Sequence, residues 1–181
     1  RNLDDEGDVS VNIDTGSRFK PAMDSLTEFG IALEMYCPYD EGVYDRKPSE
    51  AAQEAATTRK LIKALNVDRN VDAVKSALAE GYPVAASFTL CKSFTPTGGY
   101  IPMPTEDEIA EALGNAADPD SETKHSCHAM AIVGFSDELQ MFLVRNSWGQ
   151  DWGDNGYCYI PYAYVADQRL FNFACIITEV A

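Results

Sequence analysis

The sequence predicts an α+β fold in two parts, the remainder of a helical lobe followed by an antiparallel, barrel-like sheet. Three observations carry this. Up to Gly81 the apolar residues recur mainly at helical spacing, whereas beyond it they gather into short runs bounded by Gly, Pro and Asn. Two of those runs, residues 128–135 and 141–145, flank five polar or turn-compatible residues, SDELQ, which is the pattern of a hairpin. The length, 181 residues, suits one ordinary domain or one and a half lobes of a two-lobed protein. The expected division is residues 1–65, a helical remainder with a connecting segment, and residues 66–181, the β lobe.

Taken in order, Asp14-Thr15-Gly16-Ser17 is a turn and cap cluster. In the FKPAMDSLTEFG that follows, Phe19, Met23, Leu26 and Phe29 share a helical face, expected to lie in a core, and Gly30 suits the helix end. CPYDEGVYDRKP holds two prolines and a glycine and reads as an irregular surface stretch. Residues 49–65 are alanine-rich and predict a helix with much of one side polar. Residues 70–80 predict an amphipathic helix on which Val71, Val74, Ala77 and Leu78 share a face and which Gly81 ends.

YPVAASFTL, residues 82–90, then reads as a strand, and residues 93–105, with three prolines and two glycines, as a loop. Thr105-Glu106-Asp107-Glu108 has the form of a capping box opening a short helix. Seven acidic residues fall between Glu106 and Glu122. They read either as a solvated face or as an overhang above a cleft. GYCYIPYAYV predicts a strand running to a surface turn, and FNFACIITEV a terminal strand that pairs back into the sheet.

The hairpin is where chemistry is expected. Pairing about a tip near Glu138 sets His128 beside or diagonally across from Asn146, within side-chain reach. A histidine acting as general base presents one ring nitrogen to its nucleophile, and an acceptor on the other fixes tautomer and plane. The oxygen of Asn146 is such an acceptor and adds no charge, which suits a thiolate–imidazolium pair. Trp148, two residues on, is placed to cover the contact and exclude water. His125 reads as a loop residue without a role.

The strings HAMAIVGF and FLVRNSWGQDWGDNGYCYIP resemble the histidine and asparagine segments of the papain-like cysteine peptidases. Asn-Ser-Trp-Gly followed by Trp-Gly-x-Asn-Gly-Tyr is the most specific part. GIALEMYCPYD and NVDAVKSALAEGYPVAASF are similar to that family's segments upstream. KPSEAAQEA, GYPVAASFTL and IPYAYV look closer to bacterial-type members. The resemblance implies a papain-like fold and a cysteine-type endopeptidase acting on peptide or protein substrates. In it, His128 is the catalytic histidine, Asn146 the residue that orients it and Trp148 the indole that shields both. It also implies substrate contacts at Gly16, as a cleft glycine, and at Ser87 and Ala129, near the main specificity pocket. A turn glycine and close strand packing explain Gly16 and Ser87 equally well.

The family's Gln-x-x-x-Cys-Gly-Ser-Cys-Trp-like segment, which carries the nucleophile, does not occur in these residues. The resemblance therefore implies that the nucleophilic cysteine lies on a missing or separate segment, that a companion chain or segment supplies it, and that this chain alone is inactive. Two rivals stand beside hydrolysis. One is a catalytically inactive papain-like module with a structural or binding role; the other is a transferase or peptide ligase in which an amine replaces water.

Composition narrows the classes further. Hydrophobic residues make up 45% and aromatic residues 10%, which argues for a packed core. With 29 acidic against 14 basic residues the formal charge is −15, which disfavours nucleic acid and anionic membrane surfaces as partners. No apolar run approaches the roughly 20 residues that span a bilayer. The sequence sets no compartment; a soluble protein, extracellular or lysosome- or vacuole-like, is compatible with it. Five cysteines, at 37, 91, 127, 158 and 175, show no metal-ligand spacing, so neither a metal nor a cofactor is expected. Buried thiols packing as small hydrophobes are the default for them. Cys127 adjoins His128, but strand neighbours point to opposite faces and do not form a pair.

Overall fold

The computed structural model describes residues 17–40, 42, 46–117 and 127–181. Among these, five helices and six strands follow in the order α1 (Phe19–Glu28), α2 (Glu50–Ala56), β1 (Leu61–Asn66), α3 (Val71–Ala79), β2 (Val84–Thr89), α4 (Glu106–Ala117), β3 (Cys127–Ser136), β4 (Met141–Arg145), β5 (Tyr157–Pro161), α5 (Tyr162–Ala166) and β6 (Phe171–Val180). The strands form one sheet in the order β1-β6-β2-β3-β4-β5. Strand β2 pairs antiparallel with β3 and β6, and β4 with β3 and β5. This is the expected α+β architecture. The chain divides into two compact units, one reaching to Ala64 and taking in Thr178–Ala181, the other Leu65–Ile177.

In the first unit α1 stops where predicted. Gly30 follows it at φ +81°, and a Cβ there would come 2.0 Å from the Ala56 carbonyl oxygen, so only glycine fits. The apolar face of α1 departs from expectation: no residue of this helix is buried, and Phe29 is 59% exposed. Helical spacing shows which residues share a face, not what covers that face. Among the described residues of this unit, Ala52 and Ala56 on α2 and Leu61 on β1 are buried instead.

The alanine-rich segment also departs from prediction, because the helix ends at Ala56 and Leu61–Asn66 is a strand. Its last carbonyls are taken by side chains, Thr57 Oγ1 donating to Glu54 O at 2.7 Å and Thr58 Oγ1 to Ala55 O at 3.1 Å. With those acceptors satisfied the chain leaves the helix and takes the place beside β6.

The second unit holds the main core. Asn70 caps α3 by accepting from the Ala73 amide at 2.8 Å, and Val74 and Ala77 are its buried face. Strands β2 and β4 alternate as a half-buried sheet should, with Val84, Ala86, Phe88, Phe142 and Val144 inward. Helix α4 opens with the predicted reciprocal box: the Thr105 amide donates to Glu108 Oε2 at 2.8 Å and the Glu108 amide to Thr105 Oγ1 at 3.3 Å. Downstream, the strand expected to run to a surface turn ends at Pro161. Tyr162–Ala166 is a short helix with Tyr162, Tyr164 and Val165 buried. It is anchored by partners distant in sequence: the Tyr162 amide donates to Gln140 O at 2.9 Å and the Tyr164 hydroxyl to Thr89 O at 2.5 Å. Among the described residues no helix is long and apolar enough to cross a membrane.

One cation ties α4 to the turn after α5. Arg169 donates from Nη1 to Glu106 Oε2 at 2.7 Å and from Nη2 to Asp167 Oδ2 at 2.6 Å. Hydrogen bonds from that guanidinium hold both carboxyls below the usual carboxylate range. A carboxyl whose folded pKa is depressed contributes stability above its ordinary range, and that contribution is lost as pH falls through the folded value. Arg169→Gln therefore flattens the acid limb. Between about pH 6 and pH 3 the urea midpoint falls less in the variant than in the wild type, measured at constant ionic strength.

Candidate active site

The site is built by the β3–β4 hairpin, whose turn is residues 137–140. Near that turn Ser136, Phe135 and Gly134 face Met141, Phe142 and Leu143. Farther down, Ile132 faces Val144 and Ala131 faces Arg145. Val133 is thus an extra residue in β3, a bulge, and it shifts the lower half of the strand by one position against β4. The shift decides which face each side chain takes. Carried one residue beyond β4, the register sets Asn146 opposite Met130, on the same face as His128 two positions along. Without the bulge Asn146 would lie opposite Ala131 and point away from the imidazole.

His128 and Asn146 meet as the sequence predicted, with His128 Nε2 2.7 Å from Asn146 Oδ1. The same oxygen accepts the Ser147 amide at 2.8 Å. An amide N–H can only donate, so the atom facing it is the carboxamide oxygen, and the imidazole nitrogen bonded to that oxygen carries a proton. The neutral ring is therefore the Nε2–H tautomer, with the lone pair on Nδ1 free for another partner. Asn146 is 8% exposed, and its Nδ2 has no hydrogen-bond partner among the described residues. The carboxamide is held by its oxygen alone.

Trp148 lies over this contact, its ring stacked on His128 at 4.6 Å and 27°. The segment after it is folded tightly on itself. The Asn146 amide donates to Gly156 O at 2.9 Å, the Gly156 amide to Trp152 O at 2.8 Å and the Asp154 amide to Tyr157 O at 2.8 Å. Gly153, at φ +62°, makes that last closure possible, since a Cβ there would sit 2.3 Å from Tyr157 O. The glycine of the second Trp-Gly pair is thus a backbone requirement of the loop that carries Asn146 and Trp148.

Of the other expected site residues, Ser87 and Ala129 are direct partners across β2 and β3. They alternate with Phe88 and His128, so they line the opposite face of the sheet; Ser87 is half-buried and Ala129 exposed. Gly16 and His125 lie outside the described residues. The sequence reading missed Trp152 and Phe94, which stack on each other at 6.3 Å and 14°. Trp152 falls within the Trp-Gly motif and Phe94 within a proline- and glycine-rich loop, and no local periodicity marks either.

The thiols divide in two. Cys91, Cys158 and Cys175 are buried, as the default held, while Cys37 and Cys127 are exposed. Burial raises all three buried thiols, that of Cys158 to about 12, so none is a thiolate near neutrality. The Cys127 Sγ accepts from Asn172 Nδ2 at 3.5 Å. Among the described residues no group of three or more His, Cys, Asp or Glu side chains is arranged to hold a metal ion.

The sequence and fold that carry this site have counterparts among known proteins. The family model described as papain family cysteine protease matches residues 14–168, and the chain belongs to that family. In structure it is similar to xylellain, a cysteine protease from Xylella fastidiosa, at a TM-score of 0.77 and 26% identity, covering 94% of this chain and 65% of xylellain. In sequence it is 32% identical to an uncharacterized peptidase C1-like protein of Acanthamoeba polyphaga mimivirus, over 94% of this chain and 54% of that protein. It is 24% identical to a cathepsin B-like protein of Giardia intestinalis, over 84% of this chain and 48% of that one. The chain thus spans about half the length of these curated relatives. The likeness to bacterial-type members agrees with xylellain.

Asn146→Ala removes the one acceptor that distinguishes the two ring nitrogens. Nitrogen NMR of the histidine-labelled chain at neutral pH should show a single Nε2–H form of His128 in the wild type and a mixture of tautomers in the variant.

Proposed function

We propose that this chain supplies the histidine and asparagine of a cysteine-type endopeptidase whose nucleophilic cysteine lies outside these 181 residues. One observation carries the reading: His128 is fixed as the Nε2–H tautomer by Asn146, with Nδ1 open beneath the Trp148 stack. The second unit offers no thiol of its own for that nitrogen. Three of its cysteines are buried, and Cys127 points to the face opposite His128.

The chemistry follows from that geometry. A thiolate paired with protonated His128 attacks the scissile carbonyl carbon and forms a C–S bond. As the C–N bond breaks, the imidazolium gives its Nδ1 proton to the departing amine, leaving a thioester. The neutral ring then takes a proton from water as its oxygen attacks the thioester carbon; the C–S bond breaks, the acid leaves and the thiolate–imidazolium pair returns. Asn146 holds the ring plane through both steps, and Trp148 keeps competing water from the hydrogen bond. Ser87 and Ala129, paired across β2 and β3 on the sheet face opposite His128, are assigned to a pocket for a substrate side chain that reaches past the imidazole to that face, and Gly16 to backbone contact with extended substrate. Residues 1–65 then belong to the helical lobe and 66–181 to the β lobe. Peptides and proteins are the substrates.

The test measures peptide hydrolysis under reducing conditions, by the 181-residue chain alone and by the protein carrying the remaining family segment. The chain alone shows no thiol-dependent turnover. The longer protein shows it, and His128→Ala lowers kcat about 10²- to 10⁴-fold. Turnover by the chain alone that disappears on Cys37→Ser or Cys127→Ser would overturn the proposal. An inert longer protein that still binds peptide would make this an inactive binding module.

A further inference from the structure

Strand β6 carries a bulge of its own. Against β2, Cys175, Ala174 and Phe173 face Ala85, Ala86 and Ser87, but Phe88 faces Phe171, so Asn172 is an extra residue. It lies at the end of the sheet where Thr89 faces Cys127, the residue before His128. Neighbouring groups orient its carboxamide fully. Thr89, 1% exposed, gives its single hydroxyl proton to Arg169 O at 2.8 Å, a carbonyl that can only accept. Thr89 Oγ1 therefore has only acceptor capacity left, and the atom 2.9 Å from it is Asn172 Nδ2. The second Nδ2 hydrogen is taken by Cys127 Sγ at 3.5 Å. Both donors are spent. Asn172 Oδ1 has no hydrogen-bond partner among the described residues, and the side chain is only half-buried.

A neutral acceptor thus stands in a fixed plane beside the residue that precedes the imidazole. By strand alternation Thr89 and Cys127 share a face with Ser87 and Ala129, which lie about 7 Å farther along the strands. A substrate side chain that enters this face from the end of the sheet passes the carboxamide on its way to Ser87 and Ala129. We propose that Asn172 is a specificity-determining residue. Its Oδ1 accepts a hydrogen bond from an N–H or O–H group of that side chain, and so selects donor-bearing side chains over apolar ones of the same shape. A donor brought here gains a partner, whereas an apolar side chain strips water from Oδ1 and leaves it unpaired. The inference rests on the pocket proposed above for Ser87 and Ala129, but it requires no turnover.

The test is peptide binding, followed by fluorescence anisotropy, to the protein carrying the remaining family segment in its His128→Ala form, which leaves the peptides uncut. Two pairs of matched shape are compared, glutamine against methionine and threonine against valine, with the varied residue moved through each position in turn. At the position whose side chain reaches this face, the donor-bearing member binds about 3- to 10-fold tighter, the reach of one neutral hydrogen bond. Asn172→Leu removes that preference. Asn172→Asp puts a charge on the same acceptor and raises the affinity of a lysine peptide relative to the glutamine one. If the leucine variant unfolds, the aspartate variant decides. Equal binding within both pairs at every position overturns the proposal. So does a preference that survives in folded Asn172→Leu, or a ratio of lysine to glutamine binding that Asn172→Asp leaves unchanged. Peptide hydrolysis by the unmutated longer protein is scored separately, so failure of Asn172 as a selector and failure of the peptidase reading are distinct results.

Discussion

The site depends on one carboxamide oxygen. Asn146 Oδ1 accepts from a backbone amide on one side and from the imidazole on the other, and among the described residues no other hydrogen bond distinguishes the two nitrogens of His128. A carboxylate there would hold the ring equally well in geometry, but it would add a negative charge and favour the imidazolium by charge instead of orientation. The amide fixes direction without altering the local charge. Its other end, Nδ2, is buried and has no partner among the described residues, a cost that a rigid surround sustains.

That surround comes from backbone closure and aromatic packing, each covering what the other leaves. The loop from Asn146 to Tyr157 closes through main-chain hydrogen bonds that need glycine at 153, so it presents Asn146 and Trp148 from a fixed frame. The frame does not set the angle of an exposed indole. The indole meets the Trp152 ring edge-on, and Trp152 is stacked on Phe94.

Much of this was legible in the sequence where the deciding interactions are local. The hairpin, the His128–Asn146 diagonal, helix α3 with its Asn70 cap and the Thr105–Glu108 box rest on neighbours within a few residues or on period-two and period-3.6 patterns. The failures have distant causes. Residues 61–66 are a strand because of β6, more than a hundred residues away, and alanine content upstream does not report that. Helix α5 is held through Tyr164 to a carbonyl on β2, and the apolar face of α1 has the predicted spacing without burial. At the site, the diagonal was foreseen but the bulge at Val133 that makes it productive was not. An extra residue inside an apolar run leaves no mark on composition.

That bulge bears on how the hairpin tolerates insertion and loss during divergence. Residues between Val133 and His128, and those between Val144 and Asn146, are counted in parity: one added or removed there turns the imidazole and the carboxamide to opposite sides of the sheet. The turn at 137–140 carries no such constraint, because lengthening it leaves the strands paired as before. Variation in length is therefore expected to gather at the tip, while the segment from His128 to Val133 keeps its count even as its side chains change.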